Sequence, residues 1–390
     1  MPIIPANVMR RLPQQFFASL TSRAAVLIAS GRDVINLGQG NPDLPTPRHI
    51  VEALQTAAQD PTTHRYPPFR GLPALREAIC TFYAREYGVQ LDAQREVAVL
   101  FGGKAGLVEI SQCLLNPGDI ALVPDPGYPD YLSGIAVAGA DFVAMPLAEK
   151  NGFLPDYRQV DLQVAERAKL MFLNYPNNPT AAVATSTFFE ETIAFAKRHD
   201  IVVAHDFAYG ALGFSGVQQS FLQSPGAKDV GVEFYTLSKT YNMAGWRVGF
   251  ALGNETVVEL LNTLQDHYFV SLFGGIQRAA ATALLGDQGC VRELRDTYRS
   301  RRDAFLNALK RLGYPRLLPA EGSFFVWLPT PPGTTSVAFA ERLLQEQGVV
   351  VAPGIGFGEA GEGYVRVAML APEARLEEAA ARIAAVAAKA

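Results

Sequence analysis

The sequence predicts an α/β fold in which a mostly parallel sheet is covered by helices on both faces. Apolar runs of strand length alternate along the chain with stretches of helical periodicity, which is the order expected of a parallel sheet. The 390 residues are 49% hydrophobic and 18% charged, so the chain has enough apolar material for more than one lobe. A smaller α/β unit is expected at the carboxyl end.

The strands and helices of the larger unit follow one another in a regular order. The predicted strands are VAVLF, IALV, LMFL, IVVA, EFYTL and VGFAL, at 97–101, 120–123, 170–173, 201–204, 233–237 and 248–252. The predicted helices include 47–59, 72–87, 185–198 and 291–312. We expect the last of these helices to bridge the two lobes.

The pattern of apolar runs and helical stretches changes after residue 320. The run GSFFVWLP, a helical stretch over 337–346, the runs VVVAP and YVRVAML, and an Ala-rich helix predict a second, smaller α/β unit. We therefore expect an N-terminal arm that belongs partly to the small domain, a large domain and a small domain, over 1–45, 46–285 and 286–390.

Composition and charge narrow the class of partner. The net charge is −4 and no block of like charges stands out, so neither nucleic acid nor a membrane surface is expected as a partner. The three cysteines are scattered and odd in number, which is typical of a reducing cytoplasm. No run has the length of a membrane span, and the first residues lack the order of a signal peptide. The expected partners are small molecules and further copies of the chain.

Polar segments follow several of the predicted strands at the point where each strand ends. Residues 174–180 follow one strand, 205–209 follow the next, and Ser238 and Lys239 follow a third. A fourth strand runs into a glycine-rich turn at 102–104 and then a helical stretch, whose first amides could bind an anion. Because the carboxyl ends of parallel strands meet at one edge of a sheet, these segments predict a ligand site there.

Each of these residues also has an ordinary structural explanation. A lysine is usually a solvated surface residue, and Asp206 could cap the next helix. Asn178 before a proline could start a turn, and the stem of Arg247 could cover Trp246. Taken one at a time, these explanations are at least as good as a functional one.

Taken together, the residues match the requirements of one cofactor. Pyridoxal phosphate needs an amine for an imine bond, a carboxylate for its ring nitrogen, and groups that bind its phosphate. Lys239 follows an apolar strand, so burial would lower its pKa and provide a neutral amine. Asp206 would hold the ring nitrogen, and Asn178 and Tyr209 would hydrogen-bond the phenolic oxygen. The predicted phosphate ligands are the amides of Gly103 and Lys104, the hydroxyls of Thr236 and Ser238, and the guanidinium of Arg247, with Tyr128 flat against the ring.

The chain resembles a class I/II aminotransferase of the pyridoxal-phosphate fold-type I superfamily over nearly its whole length. The resemblance rests on an ordered set of segments: NLGQGNPD, RYPPFRG, FGGKAG, PDPGYPDY, NYPNNPT, HDFAYG, SKTYNMAGWRVGF and GYVRVAML. It implies a seven-stranded sheet in the large domain and three further site residues. Arg366 would bind the substrate carboxylate, Gly40 would contact it through its backbone, and Tyr66 would reach the cofactor phosphate of a neighbouring subunit, which implies a homodimer with shared active sites.

Two positions depart from the family pattern. Ala181 follows the NPT segment where glycine is usual, and it would strain the turn if the position needs a positive φ. The turn at 102–104 has glycines and a lysine where many members have hydroxyls, so amides and the lysine charge must carry more of the anion. An arginine such as Arg366 is also, in general, more often a solvated strand charge than a ligand.

The resemblance implies a ping-pong exchange of an amino group between an L-amino acid and a 2-oxo acid, with Lys239 as the general base. The motifs are most similar to those of the methionine-salvage transaminases, which aminate 4-methylthio-2-oxobutanoate to methionine, and then to LL-diaminopimelate and alanine or aromatic transaminases. Phe16 and Phe17 could line an apolar substrate pocket, or could equally staple an N-terminal helix.

Other kinds of protein fit the sequence less well. A C–S β-lyase shares the lysine, the aspartate and the phosphate ligands, and a non-catalytic protein on the same fold is also possible. The G-x-G-x-G of 354–358 precedes a predicted strand, whereas a dinucleotide-binding motif should open a helix. The five histidines lie apart, so a metal site is not expected.

Overall fold

The computed structural model describes residues 2–13, 18–216 and 218–389. The strands within these residues are β1 Ile35–Asn36, β2 Val97–Leu100, β3 Ile120–Asp125, β4 Asp141–Pro146, β5 Ala168–Asn174, β6 Val202–Asp206, β7 Gly231–Thr236, β8 Gly249–Gly253, β9 Phe325–Pro329, β10 Val349–Val350, β11 Ala352–Pro353 and β12 Tyr364–Ala368. The α-helices are α1 Asn7–Arg11, α2 Ala18–Ala29, α3 Arg48–Gln59, α4 Pro73–Tyr87, α5 Gly103–Leu114, α6 Asp130–Ala138, α7 Leu162–Arg167, α8 Ser186–His199, α9 Ala227–Val230, α10 Leu237–Thr240, α11 Glu255–Tyr268, α12 Gly274–Leu285, α13 Gly289–Arg311, α14 Ser336–Gln347 and α15 Glu373–Ala387.

Seven strands form the large sheet in the order β2-β8-β7-β6-β5-β3-β4. Only β8 runs antiparallel to its neighbours, so the prediction of a mostly parallel seven-stranded sheet is confirmed. The sequence did not predict β4, because this edge strand buries only Met145 and so lacks a continuous apolar run.

Both faces of the large sheet are buried, as the continuous apolar runs require. Side chains alternate along β5, so that Leu170 and Phe172 pack in a core on one face while Met171 and Leu173 pack in the core on the other. This alternation explains why the strand reads as LMFL without a polar residue.

A separate core lies under the second, smaller sheet. This antiparallel sheet has the order β11-β12-β9 and packs with α13, α14 and α15. The chain near the N-terminus joins this unit, since β1 pairs in parallel with β10 and Ile35 and Leu37 are buried in the same core. The long helix α13 contacts the large core through Cys290 and the small core through Phe305.

The glycine-rich segment before β12 is a loop, as expected from the strand that follows it. It forms two short 3-10 turns, Gly354–Phe357 and Glu359–Gly361. The backbones of Gly354 and Gly361 lie so close that a Cβ on Gly354 would be 1.9 Å from the Gly361 carbonyl oxygen. Close backbone packing therefore accounts for glycine at both positions.

Two kinds of feature are absent from the residues that the structure describes. None of the helices there is both long enough and apolar enough to cross a membrane. The same residues contain no group of three or more histidine, cysteine, aspartate or glutamate side chains placed to hold a metal ion.

Candidate active site

A cavity of about 590 Å³ lies where the carboxyl ends of β5, β6 and β7 face the residues that follow β1 and the side chain of Arg366 on β12. It gathers residues that are far apart in the sequence. Twelve of the predicted site residues line it: Gly40, Gly103, Lys104, Tyr128, Asn178, Asp206, Tyr209, Thr236, Ser238, Lys239, Arg247 and Arg366. The remaining one, Tyr66, has a side chain that is 86% exposed and does not line this cavity.

The amine of Lys239 is held inside this cavity by the short helix α10. Thr236 caps that helix and ends β7, so the lysine follows the strand end by three residues. Its Nζ donates to the Gly40 carbonyl oxygen at 2.7 Å and lies 5.5 Å from the centre of the Phe324 ring. Burial, followed by the positive charges of Arg366 and Arg247, lowers the pKa of Lys239 to about 8. The amine is therefore neutral far more often than a solvated lysine would be.

Asp206 ends β6 and is buried. Its Oδ2 accepts a hydrogen bond from the Tyr131 hydroxyl at 2.9 Å, and its Oδ1 accepts one from the Ala208 amide at 3.2 Å. Burial raises the pKa of Asp206 to about 6, whereas these two hydrogen bonds favour the ionised form. A carboxylate held in this way can accept a hydrogen bond from a protonated ring nitrogen.

Sequence reasoning missed two residues that position Asp206. Tyr131 stacks on Phe172 with ring centres 4.7 Å apart, which fixes its hydroxyl against the carboxylate. Asn174 donates from Nδ2 to the Asp206 carbonyl oxygen at 2.8 Å. Tyr131 lies in the segment PDPGYPDY and Asn174 in the segment NYPNNPT. The sequence could have pointed to them only because they are close to Tyr128 and Asn178, which were predicted to lie in the site.

The predicted phosphate ligands surround one end of the cavity. Gly102 precedes α5 with a φ of 84°, and a Cβ there would lie 2.5 Å from Nη2 of Arg247. The start of α5 leaves amide groups without acceptors inside the helix, and among the described residues Arg247 bonds only a neutral carbonyl, that of Ala244, at 2.9 Å. Amides, a guanidinium without a charged acceptor, and the hydroxyls of Thr236 and Ser238 suit a phosphate group.

Lys104 lies at the same end of the cavity with its ammonium turned towards an acid. Its Nζ is 2.9 Å from Oδ1 of Asp130, and half of its side chain is exposed. The sequence predicted that the ammonium charge of Lys104 helps to bind the phosphate, but in the structure this charge also pairs with the Asp130 carboxylate. We expect the backbone amide of Lys104 to contribute more than its ammonium group.

The guanidinium of Arg366 also lines the cavity. Nη1 donates to Oδ1 of Asn178 at 2.8 Å and Nη2 donates to the Gly38 carbonyl oxygen at 2.9 Å. Neither acceptor is charged, and Nε is buried with no hydrogen-bond partner among the described residues. Burial lowers the pKa of Arg366 to about 10. A buried arginine with an unused donor and no charged acceptor is suited to a carboxylate ligand.

Aromatic rings limit the access of water to this guanidinium. The Cζ atom of Arg366 lies 4.2 Å from the centre of the Phe325 ring and 4.7 Å from that of Phe357. Tyr209 packs edge-on against Phe325, at 5.7 Å between ring centres. Tyr128 meets Tyr131 edge-on, at 5.6 Å between ring centres.

The turn after Asn178 has the backbone that the sequence suggested. Ala181 has a φ of 62°, in the region where glycine is favoured and a Cβ introduces strain. Its carbonyl oxygen accepts the amides of Glu321 and Gly322, at 3.0 and 3.1 Å, and the residue is fully buried. The surrounding hydrogen bonds hold the alanine in this conformation.

Two features lie apart from this cavity. A larger cavity of about 760 Å³ is lined by residues between 151 and 199 and contains none of the predicted site residues, so we assign the site to the smaller one, where cations and hydroxyls converge. Phe16 and Phe17, expected near the substrate or at a helix start, lie outside the described residues.

Comparison with known proteins identifies the family of this chain. Residues 32–383 match the family model for aminotransferases of class I and II. The L-glutamine--4-(methylsulfanyl)-2-oxobutanoate aminotransferase of Bacillus subtilis is 60% identical over 97% of this chain and 95% of its own length. The LL-diaminopimelate aminotransferase of Syntrophobacter fumaroxidans is 47% identical over 98% and 99% of the two chains. The substrate-bound structure of BacF from Bacillus subtilis superposes with a TM-score of 0.95 at 50% identity, covering 99% of this chain and 98% of that one.

Proposed function

The chain belongs to the class I and II aminotransferases, whose members use pyridoxal phosphate, and we propose that it transfers the amino group of glutamine to 4-(methylsulfanyl)-2-oxobutanoate, which yields methionine. The main support for this substrate pair is the 60% identity, over nearly both full lengths, to the relative that bears that activity in its name. The cavity described above supports the general reaction.

The residues present fit the cofactor. When bound, pyridoxal phosphate supplies a carbonyl carbon that reacts with amines and a ring that accepts the electron pair left at Cα. We propose that Lys239 would attach the cofactor and that its amine would act as the base that moves the proton at Cα. Asp206 would hold the proton on the ring nitrogen, and Asn178 and Tyr209 would bond the phenolic oxygen. Gly103, Lys104, Thr236, Ser238 and Arg247 would bind the phosphate, and Tyr128 would pack against the ring.

Arg366 is the proposed ligand of the carboxylate that amino acids and 2-oxo acids share. Within the described residues its Nε has no hydrogen-bond partner and its two acceptors are neutral, so the guanidinium can form the paired hydrogen bonds that a carboxylate prefers. Gly40 presents its backbone beside Lys239, at 2.7 Å, so the same cavity holds the carboxylate group near the amine. One binding mode would thus serve both halves of a ping-pong reaction.

A second candidate function is amination of the LL-diaminopimelate type. Several relatives with that name are 42 to 47% identical over almost the whole chain. A C–S β-lyase would use the same lysine, aspartate and phosphate ligands. These candidates differ from the first in substrate and not in the arrangement of the cofactor site.

We also infer a cytoplasmic homodimer in which Tyr66 of each subunit reaches the cofactor phosphate of the other. The three cysteines are unpaired, in keeping with a reducing compartment. Tyr66 and Phe69 are 86% and 59% exposed in the single chain, which is the arrangement expected of residues covered by a partner.

A screen of donors and acceptors tests the proposed substrate pair. The purified holoenzyme would be offered glutamine with a panel of 2-oxo acids, and the product amino acids would be quantified. We expect the highest kcat/KM with 4-(methylsulfanyl)-2-oxobutanoate. A higher value with LL-diaminopimelate as donor would reject the proposal in favour of the second candidate, and release of pyruvate and ammonia from a cysteine conjugate without any acceptor would identify a lyase.

A further inference from the structure

Residues 37–46, here called the carbonyl segment, supply backbone acceptors to two of the cations of the site, Arg366 and Lys239. The Gly38 carbonyl accepts from Nη2 of Arg366 at 2.9 Å, and the Gly40 carbonyl accepts from Nζ of Lys239 at 2.7 Å. The path of this segment therefore sets where both cations point. A shift of an ångström in the segment would change the space left for a substrate carboxylate.

The carbonyl segment is fixed at its two ends by hydrogen bonds to backbone groups of other elements. At the first end, the Ala368 amide donates to the Leu37 carbonyl at 2.8 Å, and the Leu37 amide donates to the Val350 carbonyl at 2.9 Å. At the second end, Thr46 Oγ1 donates to the Asn242 carbonyl at 2.8 Å. Between these ends, a side-chain ion pair holds the segment.

That ion pair joins Asp43 to Arg301 on α13. Nη1 of Arg301 lies 2.9 Å from Oδ1 of Asp43, and Nη2 lies 3.0 Å from Oδ2, so the contact is bidentate. Nη1 also donates to the Met369 carbonyl oxygen at 3.2 Å. Met369 directly follows β12, three residues after Arg366. One guanidinium thus contacts the carbonyl segment and the end of the strand that carries Arg366.

The environment of Arg301 favours a fixed geometry. The residue is 6% exposed, and its Cζ lies 5.6 Å from the centre of the Tyr298 ring. Asp43 is 25% exposed at its side chain, so the pair is largely shielded from water and salt. Only a planar fork can bond both carboxylate oxygens and a carbonyl from a fixed position, which a lysine ammonium cannot do in the same way.

We propose that Arg301, through Asp43 and Met369, is a positioning residue for the substrate carboxylate subsite. It holds the carbonyl segment against the end of β12, so that Gly38, Gly40 and Arg366 keep the spacing that a carboxylate requires. This inference rests on the proposed role of Arg366 as the carboxylate ligand. It assigns Arg301 no contact with substrate or cofactor.

The test uses the variants Arg301→Lys and Asp43→Asn, the double variant, and Arg299→Gln as a matched control. Arg299 lies on the same helix but pairs with Asp296 on the exposed surface, at 2.6 Å. Single-turnover kinetics on the holoenzyme would separate apparent amino-acid affinity from the rate of the chemical step. Hydrogen exchange of the 37–46 amides would report the order of the carbonyl segment, and cofactor affinity would be measured independently.

We expect each single variant to weaken apparent substrate affinity about tenfold or more, because a charge-assisted hydrogen bond is lost, while the chemical rate changes less than about threefold. Hydrogen exchange in the carbonyl segment should accelerate, and cofactor affinity should stay at the wild-type value. The double variant should lose no more substrate affinity than the single variant that loses more, because both substitutions break the same ion pair. The control should match the wild type.

Two results would overturn the proposal. One is an unchanged substrate affinity in both single variants. The other is a fall in affinity, chemical rate and cofactor binding together, without faster exchange in 37–46, which would mean a general loss of structure. The assay uses whichever amino acid the enzyme converts fastest, so an error in the proposed substrate pair would show in the donor and acceptor screen and not in this test.

Discussion

The amine of Lys239 lies among groups that disfavour its protonated form. Burial and the charges of Arg366 and Arg247 lower its pKa to about 8, and the charge of Asp206 acts in the opposite direction. A solvated lysine has a pKa of about 10.4. The neutral amine is the form that attacks a carbonyl carbon, so this shift makes the lysine reactive under ordinary conditions.

The first prediction follows from that shift. The rate at which the apoprotein captures pyridoxal phosphate should rise with pH and level off with a midpoint near 8, because deprotonation produces the nucleophile and the folded pKa is the lowered one. Stopped-flow absorbance at a series of pH values measures this rate. Lys239→Ala serves as the control and should show no such capture. A midpoint close to the value of a solvated lysine would contradict the assignment.

Asp206 gives the second prediction. Asp206→Asn keeps the shape but removes the charge that holds a proton on the ring nitrogen, so kcat should fall by roughly 100-fold or more while the cofactor remains attached through Lys239. Tyr131→Phe should lower kcat less. It should also move the acidic limb of the pH profile to higher pH, because loss of the Tyr131 hydrogen bond raises the pKa of Asp206, which burial already raises to about 6. Steady-state kinetics across pH would decide; turnover of Asp206→Asn within about threefold of the wild type would exclude this role.

The site residues at the ends of strands could be predicted from the sequence. The residues that position them through hydrogen bonds could not. Lys239, Asp206 and Asn178 break apolar patterns at places where a parallel sheet makes loops converge. In the sequence Tyr131 cannot be told from other aromatic residues of the core, because its role depends on the hydrogen bond to Asp206 that the fold creates. Gly38 acts through a carbonyl group that every residue has, and Arg301 meets Asp43 across 258 positions of sequence.

At the level of elements, strand register brings the site together. Asn174 pairs with Asp206 across β5 and β6, and Asp206 pairs with Phe234 on β7, two residues before Thr236. The same register places His205 opposite Glu233. The sequence predicted these central strands because they are buried on both faces, whereas the exposed edge strand β4 carried no comparable pattern.

Glu233 is the subject of the third prediction. Its carboxylate is fully buried and accepts hydrogen bonds from Tyr83, Ser220 and the Phe221 amide at 2.9, 2.7 and 2.8 Å, and it lies 2.8 Å from Nδ1 of His205. Glu233→Gln would turn an amide NH₂ towards these donors, so we expect the free energy of unfolding to fall by about 2 to 4 kcal/mol.

Chemical denaturation of the apoprotein measures this loss. The matched control is Glu341→Gln, which breaks an exposed pair with Arg23, 2.9 Å apart, and should cost less than about 1 kcal/mol. Equal losses in the two variants would show that the buried network contributes nothing beyond a surface ion pair.

In the molecule as a whole, the site depends on both cores. Asn178, in the turn after β5 of the large sheet, and Arg366 from the small sheet meet at 2.8 Å, and α13 contacts both cores. The sequence predicted the two lobes from their change in texture. It could not predict the contacts between them, because these depend on how the lobes pack and not on any local pattern.

The fourth prediction concerns the proposed dimer. If Tyr66 completes the partner's site, mixing the inactive variants Lys239→Ala and Tyr66→Ala, followed by subunit exchange, should restore activity at about one site in four, because each hybrid dimer has one site with both groups intact. Assays at limiting cofactor would measure the gain. Activity that stays at the sum of the unmixed variants would show that the sites are not shared.

The most direct test of the central claim is to locate the attached cofactor. The purified protein would be incubated with pyridoxal phosphate, reduced with borohydride, digested, and mapped by peptide mass. The account predicts one stable cofactor adduct per chain, on Lys239, and none on that peptide in the Asp206→Asn, Lys239→Ala double variant. An adduct on another lysine, or no adduct at all, would contradict it.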